Sequence, residues 1–154
     1  MRLKAIALSL PLFLATLAFA YDNSPLIGTW KLNEGKSKIP AGAPKNTTVV
    51  YEQSGDNIKC TVEGVDAKGQ PTRSEWTGKF DGKDYPLTGD STADTRAYRV
   101  VNSHTLSFSN NKSGKATVEG KIVVSADGKT RTVTTTATDA NGKKATSVAV
   151  YDKQ

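Results

Sequence analysis

The chain has one cysteine and one histidine in 154 residues, and both scarcities limit what it can be. Cys60 has no partner for an internal disulfide bond, so stability must come from the core and from strand pairing. One histidine and one cysteine are too few for a usual zinc site. A serine hydrolase would have to place His104 beside a nucleophile, and no G-x-S-x-G motif surrounds any serine. We therefore expect no metal, no cofactor and no enzymatic activity.

Long apolar runs are also missing, except at the N-terminus. Arg2 and Lys4 precede an apolar stretch over residues 5–14, and Ala18-Phe19-Ala20 matches an A-x-A cleavage pattern. This is the layout of a secretory signal, and it is short for a membrane span. We expect residues 1–20 to be a signal peptide and residues 21–154 to form one domain, periplasmic or secreted, without an integral membrane segment after cleavage.

Basic clusters are absent as well. The formal charge is +6, and removing Arg2 and Lys4 leaves +4. The remaining lysines are interspersed with Asp and Glu, and no basic stripe carries aromatic residues at base-stacking spacing. Nucleic acid is therefore not expected as a partner.

Short alternating segments separated by Gly, Asp and Asn make up the rest of the chain, with almost no helical pattern. We predict ten strands, at residues 27–33, 47–53, 57–65, 71–80, 84–88, 95–101, 104–109, 116–125, 130–138 and 146–151. The short loops favour antiparallel pairing of neighbours, and closure removes exposed edges. The predicted fold is a single all-β, closed, up-and-down antiparallel barrel. Residues 34–45, broken by Pro40, Gly42 and Pro44, are expected to form a long lid-like connection.

Alternation along the strands predicts which side chains point inward. The expected inner set is apolar and often small; it includes Cys60 as a buried residue, and Trp76, Phe80, Leu106 and Phe108 as the lining of a cavity. Glycines within strands, at positions 64, 78 and 120, mark bends or places where a ligand comes close.

Two arginines pose a question that the sequence leaves open. Arg96 and Arg99 are three positions apart, so on a strand they face opposite sides. One of them should therefore point inward, where a guanidinium is costly unless it is paired. Either one is a candidate anion clamp or partner for a buried acid.

The two ends of the chain carry a family resemblance. Gly28-Thr29-Trp30-Lys31-Leu32 resembles the G-x-W signature of the calycin barrels, and most of all the opening of fatty-acid-binding proteins. The resemblance implies that Gly28 and Trp30 close one end of the barrel. The last strand resembles the R-x-Y ending of that family, where arginine and tyrosine hold a ligand carboxylate; here Tyr151 matches the tyrosine, while Ala149 stands in the arginine position. More loosely, the chain is similar to small exported bacterial proteins with a lipocalin-like domain.

The hypothesis that follows is an exported, monomeric, non-enzymatic barrel that binds a small hydrophobic or amphipathic molecule. Trp76, Phe80, Leu106 and Phe108 would line the cavity, and Tyr151 with Arg96 or Arg99 would orient the polar end of the ligand. An alternative is an inhibitor or adaptor with a filled barrel and an apolar patch at one rim. A third is a lipocalin-like isomerase, which needs a perturbed acid or base inside the cavity.

Overall fold

The computed structural model describes residues 24–154, so the predicted signal peptide lies outside the described residues. Ten strands and one short 3-10 helix follow one another in this part of the chain. The strands are β1 (Gly28–Leu32), β2 (Lys45–Ser54), β3 (Asn57–Val65), β4 (Pro71–Gly78), β5 (Asp81–Thr88), β6 (Thr95–Asn102), β7 (Thr105–Lys112), β8 (Lys115–Val124), β9 (Thr130–Thr138) and β10 (Lys144–Lys153).

The strands form one closed antiparallel barrel in which each strand pairs with its neighbours in sequence. The first and last strands also pair, with Trp30 opposite Lys153 and Leu32 opposite Tyr151. The predicted all-β, closed, up-and-down barrel is therefore confirmed. Its core contains Trp30, Tyr51, Cys60, Trp76 and Tyr98, all at most 2% exposed, so Cys60 is buried as expected.

The barrel has two ends that differ in character. The end named here the Trp30 end carries the fully buried Leu26 and Trp30 and the turns after β2, β4, β6 and β8. The opposite end, named the Ser147 end, carries the turns after β3, β5, β7 and β9. The Trp30 indole donates a hydrogen bond to the Leu26 carbonyl over 2.7 Å, which fixes the ring against the segment that precedes β1.

Two similar hairpin turns at the Ser147 end show how local chemistry sets strand ends. The Asp66 carboxylate accepts hydrogen bonds from the amides of Lys68 and Gln70, and the Asp139 carboxylate accepts from those of Asn141 and Lys143. Each turn has a glycine in the left-handed region midway between the two donor residues, Gly69 at φ +77° and Gly142 at φ +80°. An L side chain is disfavoured there, so the turns stay where the sequence predicts them.

The boundaries of β7 differ from the prediction. The strand begins at Thr105, leaves His104 exposed in the preceding turn, and continues to Lys112. Asn110 and Asn111 resemble turn residues, but their side chains have partners in the folded barrel. Asn110 accepts from Arg96 over 2.7 Å and Asn111 donates to Asp84 over 2.6 Å, so both stay in the strand.

The connection between β1 and β2 is not a free lid. After a 3-10 turn over Glu34–Lys36, it runs beside β10, where Lys38 and Val148 form an isolated antiparallel bridge. The Ser37 hydroxyl accepts a hydrogen bond from the amide of Val150 over 2.9 Å. Ile39 packs against the core. The segment therefore continues the pairing of β1 with β10. Its backbone groups bond to β10 there and not to water.

Gly64 is the tightest backbone approach of the predicted bend glycines. A Cβ atom at this position would lie 2.1 Å from the Lys45 carbonyl oxygen, next to the β-bulge between Asn46 and Thr48. We expect Gly64→Ala to lower the free energy of unfolding by about 1–3 kcal/mol, as other overpacking substitutions do. Gly35→Ala is the matched control, because nothing lies closer than 3.6 Å to its Cβ position. Equal urea midpoints for the two variants would contradict the expectation.

Candidate functional site

Most of the residues predicted to line the interior do point into it. Trp76 and Leu106 are buried, at 1% and 0% exposure, and Phe80 and Phe108 are half-buried against the core. Phe80 lies just beyond the end of β4, in the turn before β5. Its ring stacks on Trp76 with centroids 6.1 Å apart.

Tyr98, which the sequence reasoning did not select, is the centre of this aromatic group. Its ring centroid lies 4.8 Å from that of Trp76, 5.3 Å from that of Phe80 and 5.7 Å from that of Phe108. Tyr98 shares a strand face with Arg96, and that parity is the signal that could have identified it.

The arginine question has a clear answer in the structure. Arg96 points inward and is 7% exposed, whereas Arg99 lies exposed on the outer surface, over Gly82. A Cβ atom on Gly82 would come within 2.9 Å of the Arg99 guanidinium, so glycine makes room for this packing. Arg99 is therefore not on the inner face of the barrel.

Arg96 is held by neutral groups. Its Nε donates to Asn110 Oδ1 over 2.7 Å, and a terminal nitrogen donates to the Tyr98 hydroxyl over 3.3 Å. The carbonyl of Arg96 accepts a hydrogen bond from the Trp76 indole over 2.9 Å. The residue thus links the backbone of β6 to β4 and its side chain to β7.

A second buried arginine, Arg131, was missed by the sequence reasoning. It lies on β9, opposite Tyr151 of β10, and is 2% exposed. Its guanidinium carbon lies 4.5 Å from the centroid of the Tyr151 ring and 5.3 Å from those of Trp30 and Tyr51. One terminal nitrogen donates to the Tyr51 hydroxyl over 3.3 Å.

The two arginines are joined through a pair of tyrosines. The hydroxyls of Tyr51 and Tyr98 lie 3.2 Å apart, and each accepts from one of the arginines. The Cys60 sulfur lies 4.0 Å from the Tyr98 hydroxyl. We call this set the inner polar cluster; its members are Tyr51, Cys60, Arg96, Tyr98, Asn110 and Arg131.

The charge of the inner polar cluster is unbalanced. Among residues 24–154, the buried charged side chains are two arginines, and no Asp or Glu is buried. The ion pairs found in this part of the chain involve neither Arg96 nor Arg131. Two guanidinium charges therefore occupy the interior with only hydroxyl, amide, thiol and aromatic neighbours.

The tyrosines of the interior keep their protons to high pH. Burial raises the pKa values of Tyr51 and Tyr98, and for Tyr98 this outweighs the opposing effect of Arg96. Burial raises the pKa of Tyr151 to about 12, although Arg131 acts in the opposite direction. Burial alone would lower the pKa of Arg96, but Tyr98 and Cys60 are anionic at the high pH where a guanidinium titrates, and their negative charges make the net direction of the Arg96 pKa upward. Neither arginine charge is neutralised by an ionised tyrosine at neutral pH.

These pKa directions predict that alkali destabilises the barrel. Between pH 10 and 12, an unfolded tyrosine with a pKa near 10 has lost its proton while native Tyr151 retains it. The unfolded state then binds fewer protons, so the free energy of unfolding falls by about 1.4 kcal/mol per pH unit from this residue alone. Urea unfolding at pH 9, 10 and 11 measures the slope. The slope should decrease in Tyr151→Phe, and an unchanged slope would contradict the assignment.

The space inside the barrel is not uniform. Trp30, Cys60 and Leu106 have no exposed surface, so no water-sized void adjoins them. Toward the Ser147 end, the inward-facing side chains of Phe108, Thr135 and Ser147 are half-exposed. The hydroxyls of Thr135 and Ser147 lie 2.8 Å apart across β9 and β10. The interior is thus filled at the Trp30 end and opens toward the Ser147 end.

Two surface depressions lie on the outside of the barrel. They have volumes of about 390 and 200 Å³ and share the outer face of β2, β3 and β4. Glu63 and Arg73 line both, and their side chains form an ion pair of 2.7 Å. Exposed pairs of this kind contribute little to stability.

Tyr151, which matches the tyrosine of the resembled R-x-Y ending, is hydrogen-bonded within the protein. Tyr151 is 4% exposed, and its hydroxyl donates to the Asn46 carbonyl over 3.0 Å. Ala149 is buried in the position where the resembled family has arginine. A guanidinium nevertheless lies on the Tyr151 ring, supplied by Arg131 from the neighbouring strand.

Comparison with known proteins agrees on the fold. A solved structure described as "EF1p2_mFAP2b bound to DFHBI" is 10% identical, with a TM-score of 0.52 over 88% of this chain and 98% of that one. A second, "a redesigned beta barrel, mFAP1, bound to DFHBI", is 16% identical with a TM-score of 0.44 over 84% of this chain and 95% of that one. No protein-family model matches the sequence, and no curated protein is similar to it at a significant level. The class shown is the closed ten-stranded barrel, and the calycin resemblance stays a prediction.

Residues 24–154 lack two further features. This part of the chain contains no helix long and apolar enough to cross a membrane. It also contains no group of three or more His, Cys, Asp or Glu side chains placed to bind a metal ion.

Proposed function

We propose that this protein binds a small amphipathic molecule inside the barrel, with the polar end of the molecule at the inner polar cluster. The observation that carries the proposal is the cluster itself: two arginines and two tyrosines point into a barrel whose other inner side chains are largely apolar. The proposal includes export of the mature protein to the periplasm or beyond the cell, based on the signal pattern in residues 1–20. It also includes a monomer, because a closed barrel has no free sheet edge.

Energetics favour a binding role over a plain scaffold. A buried guanidinium loses several kcal/mol of hydration, and only good partners restore it. Well-packed apolar side chains would fill the same volume without that cost. Binding sites, by contrast, are mostly apolar with a few convergent polar groups that orient the ligand. The inner polar cluster, surrounded by the rings of Trp30, Trp76 and Phe108, has that composition.

The half-exposed inner surface gives the ligand a place for its apolar part. Phe108, Val118 and Val133 lie there among the hydroxyls of Thr135 and Ser147. Gly120 permits the Phe108 ring to lie on its backbone, since a Cβ atom would be only 2.4 Å from that ring. At the level of fold, the solved barrel with a TM-score of 0.52 is itself described as bound to a small molecule, DFHBI.

Titration with the neutral dye Nile red tests the proposal. We expect saturable fluorescence enhancement that a short-chain amphiphile such as 1-octanol displaces. Ser147→Phe places a phenylalanine ring in the half-exposed interior at the Ser147 end. It should weaken dye binding about tenfold or more, because the ring occupies space that the ligand would otherwise fill. Thr146→Phe is the matched control, since Thr146 is exposed on the outer face of the same strand.

The outcomes of that titration are distinct. Weaker binding in Ser147→Phe with unchanged binding in Thr146→Phe supports an interior site. Equal binding in both variants places the dye on the outer surface, and absence of saturable binding in the wild type contradicts the proposed function.

A filled barrel that binds another protein is the second candidate, and one observation favours it. Val100, Val101 and Val123 are exposed at the Trp30 end, on strands β6 and β8 that flank β7. Val101→Asp together with Val123→Asp should abolish co-purification of a protein partner, detected by mass spectrometry, if this apolar rim is an interface. Retention of the same partner by the double variant would exclude that interface.

A further inference from the structure

We propose that the Trp30 end of the barrel docks on the surface of an anionic lipid bilayer, through an uncharged row of the outer wall that is bordered by cations. The inference goes beyond the proposed function, because it concerns the outer surface and does not depend on a ligand inside the barrel. The same region contains the exposed valines of the second candidate function, so the test must distinguish lipid from a protein partner.

An uncharged row crosses the outer wall near the Trp30 end, over the five strands β6 to β10. From β7 to β10 its members lie opposite one another in the register of the sheet, and a fifth member joins from the bulge near the end of β6. They point outward, because their neighbours along β8, β9 and β10 face the interior. With strands about 4.8 Å apart, the row is about 19 Å wide. We call this set the valine row; its members are Val101, Thr105, Val123, Thr132 and Val150.

Apolar exposure in residues 24–154 is concentrated at this row. The exposed large apolar side chains are Val100, Val101 and Val123, at 36%, 56% and 40%. Thr105, which is opposite Val123, is only 6% exposed although it points outward, so neighbouring side chains cover it. Single exposed valines need no explanation, but a contiguous set marks an interaction surface.

The basic residues beside the valine row favour an anionic partner. Arg99 and Lys121 lie one row closer to the Ser147 end, both opposite Ser107 in the register, and Lys129 lies in the turn after β8. All three are exposed, and the ion pairs found in residues 24–154 involve none of them. Cations near an anionic bilayer attract it, and exposed apolar side chains can then enter the head-group layer.

The acidic side chains of the same region are already bound within the protein. Each accepts a hydrogen bond from a nearby side chain, at 2.9 Å for Asp81, 2.5 Å for Asp127 and 2.6 Å for Asp152. Asp81 lies opposite Arg99 in the register of β5 and β6, but its partner is the Tyr85 hydroxyl. The uncommitted charges beside the valine row are therefore positive.

The shape of this surface favours a bilayer over a peptide. Peptides bind as an added strand at an open sheet edge or within a groove. The sheet is closed, and the two surface depressions lie on β2, β3 and β4, away from the valine row. A convex wall with exposed apolar side chains and surrounding cations has the composition of surfaces that insert shallowly among lipid head groups.

The route of the chain brings the same end of the barrel to a membrane. Leu26 is fully buried at the Trp30 end, and its amide donates to the hydroxyl of Ser24 over 3.2 Å. Only three residues separate Ser24 from the predicted cleavage position at Ala20. Three residues span at most about 11 Å, so a precursor held in a bilayer by its signal peptide presents the Trp30 end to the lipid. This reason rests on the export that the proposed function includes, whereas the reasons from the surface do not.

Sedimentation of the processed protein with sucrose-loaded vesicles tests the inference. We expect binding to phosphatidylglycerol vesicles about tenfold tighter than to phosphatidylcholine vesicles, with a loss of about fivefold or more when NaCl rises from 50 to 500 mM. Val123→Asp should weaken binding about tenfold or more, because it removes an apolar contact and adds a repelled charge. Thr146→Asp is the matched control, since it adds the same charge on the outer face of β10 at the Ser147 end.

Two lysines on one strand separate local charge from net charge. Lys121→Gln should weaken binding to phosphatidylglycerol vesicles about fivefold, the effect of one cation close to an anionic surface. Lys115→Gln removes the same charge from the opposite end of β8 and should leave binding within about twofold. Equal losses in the two variants would show attraction by net charge alone and would overturn the inference.

A fluorescent label reports which end meets the lipid. Cys60 has no exposed surface, so a thiol-reactive NBD dye labels only an introduced cysteine. On phosphatidylglycerol vesicles we expect stronger emission from a label at His104→Cys, in the exposed turn after β6, and little change at Asn141→Cys, in the turn after β9. The reverse pattern would contradict docking by the Trp30 end.

Other results would also overturn the inference. They are absence of wild-type binding to phosphatidylglycerol vesicles, equal affinity for the two lipids, and equal binding by Val123→Asp and Thr146→Asp. Capture of a protein through the valine row without vesicle binding would assign the surface to a protein partner. If Val123→Asp does not fold, Val101→Ser replaces a side chain that is 56% exposed and should weaken vesicle binding about threefold. None of these outcomes changes the Nile red titration, so this inference and the proposed function fail separately.

Discussion

Replacing Arg131 by methionine is expected to make the ligand-free barrel more stable, by about 1–4 kcal/mol, as happens when other buried charged groups are replaced by apolar residues of similar size. Arg131 is 2% exposed, lacks a carboxylate partner, and leaves its Nε unpaired. Methionine fills similar volume with no hydration to lose. The Tyr51 hydroxyl, which loses one donor, keeps its contact with Tyr98 at 3.2 Å. Urea unfolding of protein refolded from denaturant and dialysed free of ligand measures the effect.

Arg96→Met is the comparison that makes this result specific. This substitution leaves Asn110 Oδ1 without the hydrogen bond that it now accepts from Arg96 over 2.7 Å. Arg96→Met should therefore stabilise the barrel less than Arg131→Met does, or destabilise it. A ligand-free Arg131→Met protein that is less stable than wild type would show that the cation–π contacts repay the cost of burial.

Truncating Trp30 is expected to cause the largest loss of stability. We expect Trp30→Ala to lower the free energy of unfolding by about 3–5 kcal/mol, the usual cost of removing a buried indole. The side chain has no exposed surface, its Nε1 donates to the Leu26 carbonyl over 2.7 Å, and its ring faces Arg131. Against a typical total of about 5–15 kcal/mol, much of the stability of the barrel would be lost.

A conservative variant separates packing from the hydrogen bond. Trp30→Phe keeps an aromatic plug but leaves the Leu26 carbonyl without its donor, so it should cost less than the alanine variant. Val101→Ala, at 56% exposure, is the surface control and should stay within about 0.5 kcal/mol of wild type. Similar thermal midpoints for Trp30→Ala and Val101→Ala would show that Trp30 does not close the barrel.

The fold was predictable because two local signals agree along most of the chain. Alternation placed Ile58, Cys60 and Val62 on one face of β3, and all three are buried. Most of the turn residues separate the hairpins as predicted, since glycine at positive φ is a local requirement that tertiary packing does not override. Asp81 and Gly82 are an exception, because they lie inside β5 and not in a turn. The prediction was wrong for the end of β7 and for the lid-like connection. In both places distant partners decided the outcome: Arg96 and Asp84 for the two asparagines, and β10 for residues 37–39.

The candidate site was only partly predictable, and the reason lies in composition. On β6, the spacing of Arg96 and Arg99 required one inward arginine, and Arg96 is that residue. On β9, threonines occupy both faces, so alternation does not reveal which parity is inside, and Arg131 carries no signal of burial. The link from Arg131 through Tyr51 to Tyr98 joins three strands that are distant in sequence. Such a contact becomes visible only when the barrel closes.

The lengths of the backbone ladders divide the wall of the barrel into two panels. The β4–β5 ladder has two paired positions and the β1–β10 ladder has three, whereas β9 and β10 pair at nine. One panel therefore contains β1 to β4 and the other β5 to β10. Both arginines belong to the larger panel. Hydrogen bonds cross the interior to the smaller panel: Arg131 donates to the Tyr51 hydroxyl, the hydroxyls of Tyr51 and Tyr98 are bonded to each other, and the Trp76 indole donates to the Arg96 carbonyl. The β1–β10 seam is lengthened by the backbone bonds between residues 33–38 and β10, so the β4–β5 seam is where the wall would part with the fewest backbone bonds broken, and an opening there would bring water to the buried charges.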